Sequence, residues 1–209
     1  MFEPFCGLSG HPFGPDPDPA FYFPSRAHQH VFRRLQYGLQ HGGLTVLTGN
    51  AGTGKTTTLE AFLRHLDQTV KVVRTMAQAC DPANASRRRL LVLDDAHALP
   101  PEAWRDLHRV PVQTFLVGRP ELRQRVRTSC HLGPLEREES HRYIEHRLKQ
   151  VGWKGEPPFD EEALALIHSC TGGIPRHINR LCARALTGIF VAEHGRVGAA
   201  ALKRLIQAL

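Results

Sequence analysis

The sequence lacks three features that mark membrane, secreted and metal-bound proteins. No apolar run approaches the roughly 20 residues that a membrane-crossing helix requires. The opening residues, Met1–Phe5, have neither the basic start nor the apolar middle of a secretory signal peptide. The five cysteines are widely spaced and form no Cys-x-x-Cys pair, which argues against zinc sites and disulfide frameworks alike. We therefore expect a cytoplasmic protein with reduced structural thiols and no direct insertion into a membrane.

Lysine is also scarce, and this affects how the positive charge is interpreted. The chain of 209 residues carries a net charge of +7, yet only five of its 27 basic residues are lysines. A basic protein suits an acidic partner, nucleic acid above all. A genome-wide codon bias toward arginine gives the same excess without any function, so the charge permits such a partner without establishing one.

The 13 histidines occur singly rather than in metal-binding clusters. Several fall on predicted helix faces, where solvated side chains are more common than metal ligands. We expect exposed, unliganded side chains at His28, His30, His41, His141 and His146.

A glycine-rich segment between an apolar run and a predicted helix is the most informative feature that is present. It has the GxxxxGK[ST] spacing of a phosphate-binding loop. Glycines let several backbone N–H groups face one phosphate, and the N-terminus of the following helix adds its positive end. We expect a nucleoside triphosphate to be bound by Gly49, Asn50, Ala51, Gly52, Thr53, Gly54, Lys55, Thr56 and Thr57.

Two pairs of residues complete this predicted site. Lys55 reaches the outer phosphates, and the Thr56 hydroxyl is a ligand for Mg²⁺. Asp94 and Asp95 directly follow the apolar run 90–93, where a carboxylate would hold Mg²⁺ through water. Asp94 is the expected metal-side residue, and Asp95 is expected to orient the attacking water. The alternative is that the two aspartates merely close a strand.

The order of the predicted elements indicates an α/β protein. Apolar runs predict five strands, at 44–48, 69–74, 90–93, 112–117 and 129–132. Strands that alternate with helices and are apolar throughout are typical of a parallel sheet covered on both faces, which is a three-layer α/β/α arrangement.

From Glu136 onward the sequence predicts helices alone. They are expected at 136–151, 160–170, 175–192 and 197–208, after an earlier helix from about Arg26 to Gln40 and a short one after Pro101. Three regions follow from this pattern: an N-terminal strap (1–25), a P-loop α/β core (26–135) and a helical lid (136–209).

Arginines at two places are candidates for contacting the γ-phosphate. Arg176 begins a predicted lid helix after two glycines, with Pro175 at a favoured early position. The other place follows the fourth strand, where one arginine can act as a finger in a neighbouring subunit's site. That cluster consists of Arg119, Arg123, Arg125 and Arg127. The alternatives are a surface arginine beside an ordinary turn and a solvated basic helix face.

Taken in order, these motifs resemble those of the ExeA/GspA-type AAA+ ATPases, which are related to the TnsC/TniB-type transposition ATPases. Besides the phosphate loop and the acidic pair, the matching segments are Phe5–Leu8, Pro12–Phe13, Pro17–Phe21, His28, Tyr37–Leu39, Val117–Leu122, His131–Leu135, Tyr143–Leu148 and Gly172–Asn179. The resemblance implies an AAA+ core with a five-stranded parallel sheet and a helical lid, and ATP bound at an interface between self-associated subunits. Arg176 matches the position called sensor 2, and Arg125 is the best match to the family's Gln-Arg pair.

Departures from the family's pattern affect the expected activity. Asp95 stands where the family usually has glutamate, so its carboxylate retreats by roughly 1.5 Å, and mispositioning of that order costs roughly 10²-fold in rate. Arg119 stands where the family usually has glutamine at the sensor 1 contact. The segment 76–88 is too short for the helix that usually lies there, and the segments around 107–112 and 122–128 look trimmed. We therefore expect slow or partner-stimulated hydrolysis.

The resemblance leads to two hypotheses about function. The first is an ATPase that uses Mg-ATP to drive or gate assembly with a partner in secretion, pilus biogenesis or DNA mobilisation. Its catalytic residues would be Lys55, Asp95, Arg125 and Arg176. The alternative is a non-hydrolysing, ATP-gated DNA-binding adaptor of the transposition-regulator type. The implied partners are ATP, further copies of this chain, a secretion or pilus protein, and DNA bound without sequence preference.

Overall fold

A computed structural model of the chain describes residues 8–14, 18–42, 44–74, 88–93, 113–117, 128–154, 156, 158–192 and 196–207. The short helix predicted after Pro101 and most of the predicted loop at 76–88 lie outside these residues. The described chain forms two compact units. The sheet unit runs from Arg26 to Gly133, and the helical unit combines the chain up to Ser25 with Pro134 onward.

The sheet unit contains five parallel strands and two described helices. The strands are β1 (Leu44–Thr48), β2 (Val70–Val73), β3 (Arg88–Leu93), β4 (Gln113–Val117) and β5 (Thr128–His131). The helices are α1 (Arg26–His41) and α2 (Lys55–Arg64). The strand order in the sheet is β2-β3-β4-β1-β5, so β1 lies between β4 and β5, with Val46 opposite Leu116 on one side and Ser129 on the other. Parallel neighbours need long crossover connections, which is why strands next to each other in the sheet are far apart in sequence.

Apolar side chains from α1, α2, β1, β3 and β5 form one buried core in the sheet unit. Its fully or nearly fully buried members include Val31, Leu35, Leu47, Leu59, Phe62, Leu90 and Leu132. On α1 the buried positions recur at helical spacing, so one stripe of the helix faces the sheet and the opposite side faces solvent. Because α2 begins directly after the phosphate loop, this shared core fixes the direction in which the loop leaves β1.

The described part of the helical unit contains four α-helices and a short 3-10 helix, Pro19–Phe21. The α-helices are α3 (Arg137–Gln150), α4 (Glu161–Thr171), α5 (Pro175–Ala192) and α6 (Ala199–Gln207). Helix α3 begins with a capping box between Glu136 and Glu139, and the Asp160 carboxylate accepts a 2.7 Å hydrogen bond from the Ala163 N–H at the start of α4. We predicted helices alone after Glu136, but Phe159 and Val197 also form a short parallel β-bridge.

The described part of the N-terminal strap packs within the helical unit around a buried arginine on α3. Arg147 is 6% exposed, its Nε donates to the Pro12 carbonyl oxygen, and its guanidinium carbon lies 4.2 Å from the centroid of the Phe21 ring. Its Nη1 donates to the Tyr143 hydroxyl oxygen at 3.1 Å, and that hydroxyl donates to Asn179 Oδ1 on α5 at 2.9 Å. Hydrogen bonds and aromatic faces offset the cost of burying this charge, and they join the strap, α3 and α5 into one network.

The three described cysteines only partly match the expectation of structural thiols, and Cys6 and Cys80 lie outside the described residues. Cys130 and Cys182 are buried, and burial raises the pKa of the Cys130 thiol to about 11 and also raises that of Cys182. Cys170 is exposed, so for this residue the expectation was wrong. Among the described residues, no helix is both long and apolar enough to cross a bilayer.

We predict that Tyr143→Phe lowers the free energy of unfolding by about 2 kcal/mol, because it leaves Arg147 and Asn179 each without one hydrogen-bond partner. Tyr37→Phe makes the same chemical change at a side chain that is 48% exposed, and its effect should stay within about 0.5 kcal/mol. Urea unfolding of both variants measures the difference. Equal effects would contradict a structural role for this network.

Candidate nucleotide-binding site

The loop between β1 and α2 adopts a backbone that requires glycine at three positions. The φ angles of Gly49, Gly52 and Gly54 are 152°, 84° and 98°, which lie in the left-handed half of conformational space. A side chain at such a position is strained whatever room surrounds it. The three glycines of the GxxxxGK[ST] segment therefore follow from the path of the loop, and that path curls the backbone around the start of α2.

Gly49 is also restricted by a close approach of the chain that follows β5. A Cβ atom at Gly49 would collide with the Leu132 carbonyl oxygen and come within 3.1 Å of Thr53 Oγ1. The Leu132 N–H donates to the Thr48 carbonyl oxygen at 2.8 Å, which holds the two segments together one residue before the loop begins. The start of the loop is thus fixed by the end of β5.

Threonines hold the loop from inside. Thr53 is fully buried, and its Oγ1 donates to the Asn50 carbonyl oxygen at 2.9 Å. The Thr58 hydroxyl, also fully buried, donates to the Gly54 carbonyl oxygen at 2.8 Å. These internal bonds fix the curled conformation before any ligand arrives, so little ordering remains to be done on binding.

Lys55 folds back across the mouth of the loop. Its Nζ donates to the carbonyl oxygens of Gly49 and Asn50 at 3.0 and 3.1 Å. Gly54 occupies the N-cap of α2 and has no side chain with which to cap the helix, so an anion can take that role. A cationic amine beside an uncapped helix N-terminus is an arrangement that suits a phosphate.

The structure corrects one expectation about the histidines of α1. His28 is 6% exposed, and its Nε2 lies 3.3 Å from where a Cβ of Gly54 would be. It therefore contacts the phosphate loop from α1 and is not solvated as we had expected. The available signal was its helical spacing from Val31 and Leu35, which places all three residues on the buried stripe of α1.

The other histidines that we expected to be solvated divide into two pairs. His30 and His41 on α1 are exposed, as expected, whereas His141 and His146 on α3 are only partly exposed. Burial, together with the nearby charge of Arg147, lowers the pKa of His146 below its usual value. The expectation was therefore wrong for the two histidines of the helical unit.

The structure places only part of the predicted site. The whole loop segment 49–57 is brought together, with Thr56 and Thr57 partly buried in the first turn of α2. Asp94 and Asp95 lie outside the described residues, as do all four arginines of the cluster after β4. Arg176 is described in the helical unit, where it is exposed as the second residue of α5.

The segment before Arg176 is held tightly within the helical unit. Gly172 and Gly173 have φ angles of 58° and 71°. A Cβ at Gly173 would collide with the Leu135 carbonyl oxygen, and the Leu135 N–H donates to the Gly173 carbonyl oxygen at 2.9 Å. Pro175 then begins α5 at a position where its missing N–H costs nothing. Arg176 therefore extends from a fixed turn.

The described residues fit a nucleotide better than a metal bound by the protein alone. Among them, no group of three or more His, Cys, Asp or Glu side chains could hold an ion. A P-loop metal needs fewer protein ligands, because Mg²⁺ keeps several waters and binds phosphate oxygens. The Thr56 hydroxyl in the first turn of α2 is suited to that role.

Solved structures with the same architecture identify the fold of the chain. A variant of RuvB from Thermotoga maritima matches with a TM-score of 0.66 at 18% identity, over 90% of this chain and 70% of that chain. Domain III of the replication initiation protein DnaA from the same organism matches with 0.63 at 13% identity, over 93% and 97%. The ORC2 protein of Aeropyrum pernix matches with 0.64 at 14% identity, over 90% and 71%. These similarities show that the chain has the fold of these proteins, an AAA+-type P-loop fold.

A curated relative narrows the class further. General secretion pathway protein A of Aeromonas hydrophila is 30% identical over 263 residues, which include 96% of this chain and 48% of that protein. The chain is thus a relative of the ExeA/GspA-type AAA+ ATPases, and the resemblance drawn from its motifs is confirmed. The chain spans about half the length of this relative. The matched region is longer than the 209 residues of the chain, so the alignment contains gaps. No protein-family model matches the chain.

We predict that Gly49→Ala abolishes the stabilisation of the protein by Mg-ATP, because the new methyl group would displace the Leu132 carbonyl oxygen and with it the mouth of the loop. Gly42→Ala is the control, since its φ of 73° also strains the backbone around an added side chain but nothing lies within 4 Å of the new Cβ. This control should lose about 1–2 kcal/mol of stability and keep its response to Mg-ATP. Thermal unfolding with and without Mg-ATP measures both effects. A normal response in Gly49→Ala would contradict the close approach.

Proposed function

We propose that the chain is an AAA+ ATPase that binds Mg-ATP and hydrolyses it slowly to drive or gate assembly with a protein partner. The observation that carries the proposal is the preformed loop, in which Lys55 Nζ lies within 3.1 Å of the loop carbonyl oxygens. No rearrangement of the backbone is needed for a phosphate to enter the curl. On binding, the Lys55 ammonium would exchange the carbonyl oxygens of Gly49 and Asn50 for a phosphate oxygen. The phosphate oxygen is charged and is therefore a stronger hydrogen-bond acceptor.

The loop residues would carry the binding step. Backbone N–H groups of the curl and the first turn of α2 would hold the β-phosphate, while Lys55 would bridge to the γ-phosphate. The Thr56 hydroxyl and the Asp94 carboxylate would hold Mg²⁺. The bound ion would neutralise negative charge on the phosphate oxygens. His28 would support Gly54 from behind by filling the space beside it.

Hydrolysis would depend on three further side chains. Asp95 would orient the attacking water by accepting a hydrogen bond from one of its O–H groups. Arg176 from the same chain and Arg125 from a neighbouring copy would stabilise the negative charge that develops on the transferred phosphate. Because Asp95 is one methylene shorter than the family's usual glutamate, and Arg119 replaces a glutamine, we propose a turnover that is slow until a partner corrects the geometry.

The architecture around this site is part of the proposal. The five-stranded sheet would form the core of a three-layer AAA+ domain, and the helical unit would act as its lid, with Gly172 and Gly173 providing the rigid turn that presents Arg176. A rigid turn would favour catalysis, because a catalytic group lowers the barrier most when it is held in one position. Self-association would complete the site with Arg125.

A secretion-related partner is the preferred setting for this activity. Its support is the similarity to General secretion pathway protein A over 96% of the chain. The second candidate is an ATP-gated adaptor that binds DNA and barely hydrolyses ATP, and the net charge of +7 favours it. The two differ in whether γ-phosphate is released and in whether DNA changes that rate.

We predict that Lys55→Ala removes the stabilisation by Mg-ATP. At a ligand concentration 100 times the Kd, wild type should gain about 2.7 kcal/mol, and the variant should gain almost nothing. Lys149→Ala is the control, because Lys149 forms an exposed pair with Glu145 at 3.6 Å that contributes little. Thermal unfolding across an ATP titration gives the gain, and phosphate release measured on the same samples should stay below ~1 s⁻¹ for wild type.

Three results would be informative about this proposal. Binding and slow hydrolysis that both disappear in Lys55→Ala would support the ATPase. Tight binding without phosphate release, with or without DNA, would favour the adaptor. Equal stabilisation of wild type and Lys55→Ala would contradict nucleotide binding at this loop.

A further inference from the structure

The solvent side of α1 carries three arginines, Arg26, Arg33 and Arg34, in its first nine residues. None of the 16 residues of α1 is acidic. The outer face of α1 consists of six exposed residues at helical spacing: Arg26, His30, Arg33, Arg34, Tyr37 and His41. Positions separated by three or four residues share one side of a helix, so these side chains form a single stripe. The stripe runs for roughly 22 Å at 1.5 Å per residue.

The outer face lies opposite the stripe of α1 that packs in the core of the sheet unit. The opposite stripe of α1 supplies the core, where Val31 and Leu35 are at most 1% exposed. That stripe already holds the helix against β1 and β5. No residue of α1 is acidic, so the positive charge of these arginines is not balanced within the helix itself. Such an arrangement is understandable if an anionic partner binds there.

An aromatic side chain lies within this charged stripe. Tyr37 is 48% exposed, and its ring stacks on the His41 ring with 4.0 Å between centroids and 21° between planes. The His41 Nδ1 is 2.9 Å from the Tyr37 carbonyl oxygen, which fixes the pair at the end of the helix. The flat pair can pack against a sugar or a base edge while the arginines contact phosphates.

The chemistry of the face favours one class of polyanion. A membrane-surface helix puts its apolar stripe into the lipid, but the apolar stripe of α1 is already buried in the protein core. Arginine is well suited to phosphate, because its planar guanidinium makes paired hydrogen bonds with two oxygens. Arg26 and Arg33 are separated by about 10 Å along the helix axis. Phosphates recur roughly every 3.4 Å along one strand of a duplex, so the arginines can contact several phosphates of that strand.

We propose that the outer face of α1 binds the phosphate backbone of double-stranded DNA without sequence preference. Arg33 and Arg34 make phosphate contacts, and the Tyr37–His41 pair packs beside them. Nucleotide binding is not required for this contact, because the outer face and the phosphate loop use different residues. The Lys55→Ala variant therefore keeps its affinity for DNA if the contact is made as described.

The test measures binding of a fluorescently labelled 20-base-pair duplex by anisotropy over a range of salt concentrations. Wild type should bind two unrelated sequences equally, with log K falling linearly against log salt. The double variant Arg33→Gln/Arg34→Gln should bind more weakly at every salt concentration. Its salt slope should be smaller by about 1.8, since each lost phosphate contact removes about 0.9.

The matched control removes the same charge from another exposed helix surface. Lys203 and Arg204 are adjacent and exposed on α6 in the helical unit, so Lys203→Gln/Arg204→Gln changes the net charge equally. This control should bind DNA like wild type, and both double variants should keep the wild-type melting temperature and its shift with Mg-ATP. Arg26 is left unchanged, so that the double variant and its control each remove two positive charges.

Three outcomes would overturn the proposal. The first is absence of DNA binding by the wild type at low salt. The second is equal weakening by both double variants, which would mean that net charge alone attracts DNA. The third is binding to vesicles containing phosphatidylglycerol, lost in Arg33→Gln/Arg34→Gln, with no binding to the duplex. That result would assign the face to an anionic membrane instead.

Discussion

The contact between Gly49 and the chain after β5 is the constraint on which the rest of the sheet unit depends. The Leu132 carbonyl oxygen occupies the space that any side chain at residue 49 would need. This approach is possible because β1 and β5 pair directly, and the Leu132 N–H continues their pairing to Thr48. From there the glycine φ angles determine the curl, and the curl determines where α2 begins. A phosphate-binding geometry therefore results from strand pairing before any ligand is considered.

Helix α1 contacts this loop with one side and is exposed to solvent on the other. On its buried stripe, His28 lies against Gly54 at the start of α2, and Val31 and Leu35 pack in the common core. Its opposite side carries the arginines of the outer face. In the helical unit, Arg147 has a comparable organising role, since its contacts join the strap to α3 and, through Tyr143, to α5. Each unit is thus organised by a few close polar contacts around an apolar core.

The sequence predicted those features that depend on local patterns. The phosphate loop was identifiable because its glycines and Lys55 have a spacing set by one turn of backbone, and the apolar runs predicted every described strand to within two residues. The α/β P-loop class is confirmed by the fold.

The packing of the strap within the helical unit could not be predicted from the sequence. Pro12 and Phe21 are far from Arg147 in the sequence and contact it only in the folded chain. The helical spacing of His28 from Val31 and Leu35 could have predicted that it is buried. We predicted an exposed side chain because histidine is a polar residue. The roles of Asp94, Asp95, Arg119 and Arg125 stay predictions, since they lie outside the described residues.

The central claim is that a nucleoside triphosphate binds at the curled loop, and hydrogen exchange of the backbone amides tests it most directly. The account predicts that Mg-ATP slows exchange in the loop and the first turn of α2, from Gly49 to Thr58, while exchange within β2 changes little. Slower exchange should require both the nucleotide and an intact Lys55. Binding of Mg-ATP that leaves exchange in this segment unchanged would contradict the account, because the nucleotide would then occupy another site.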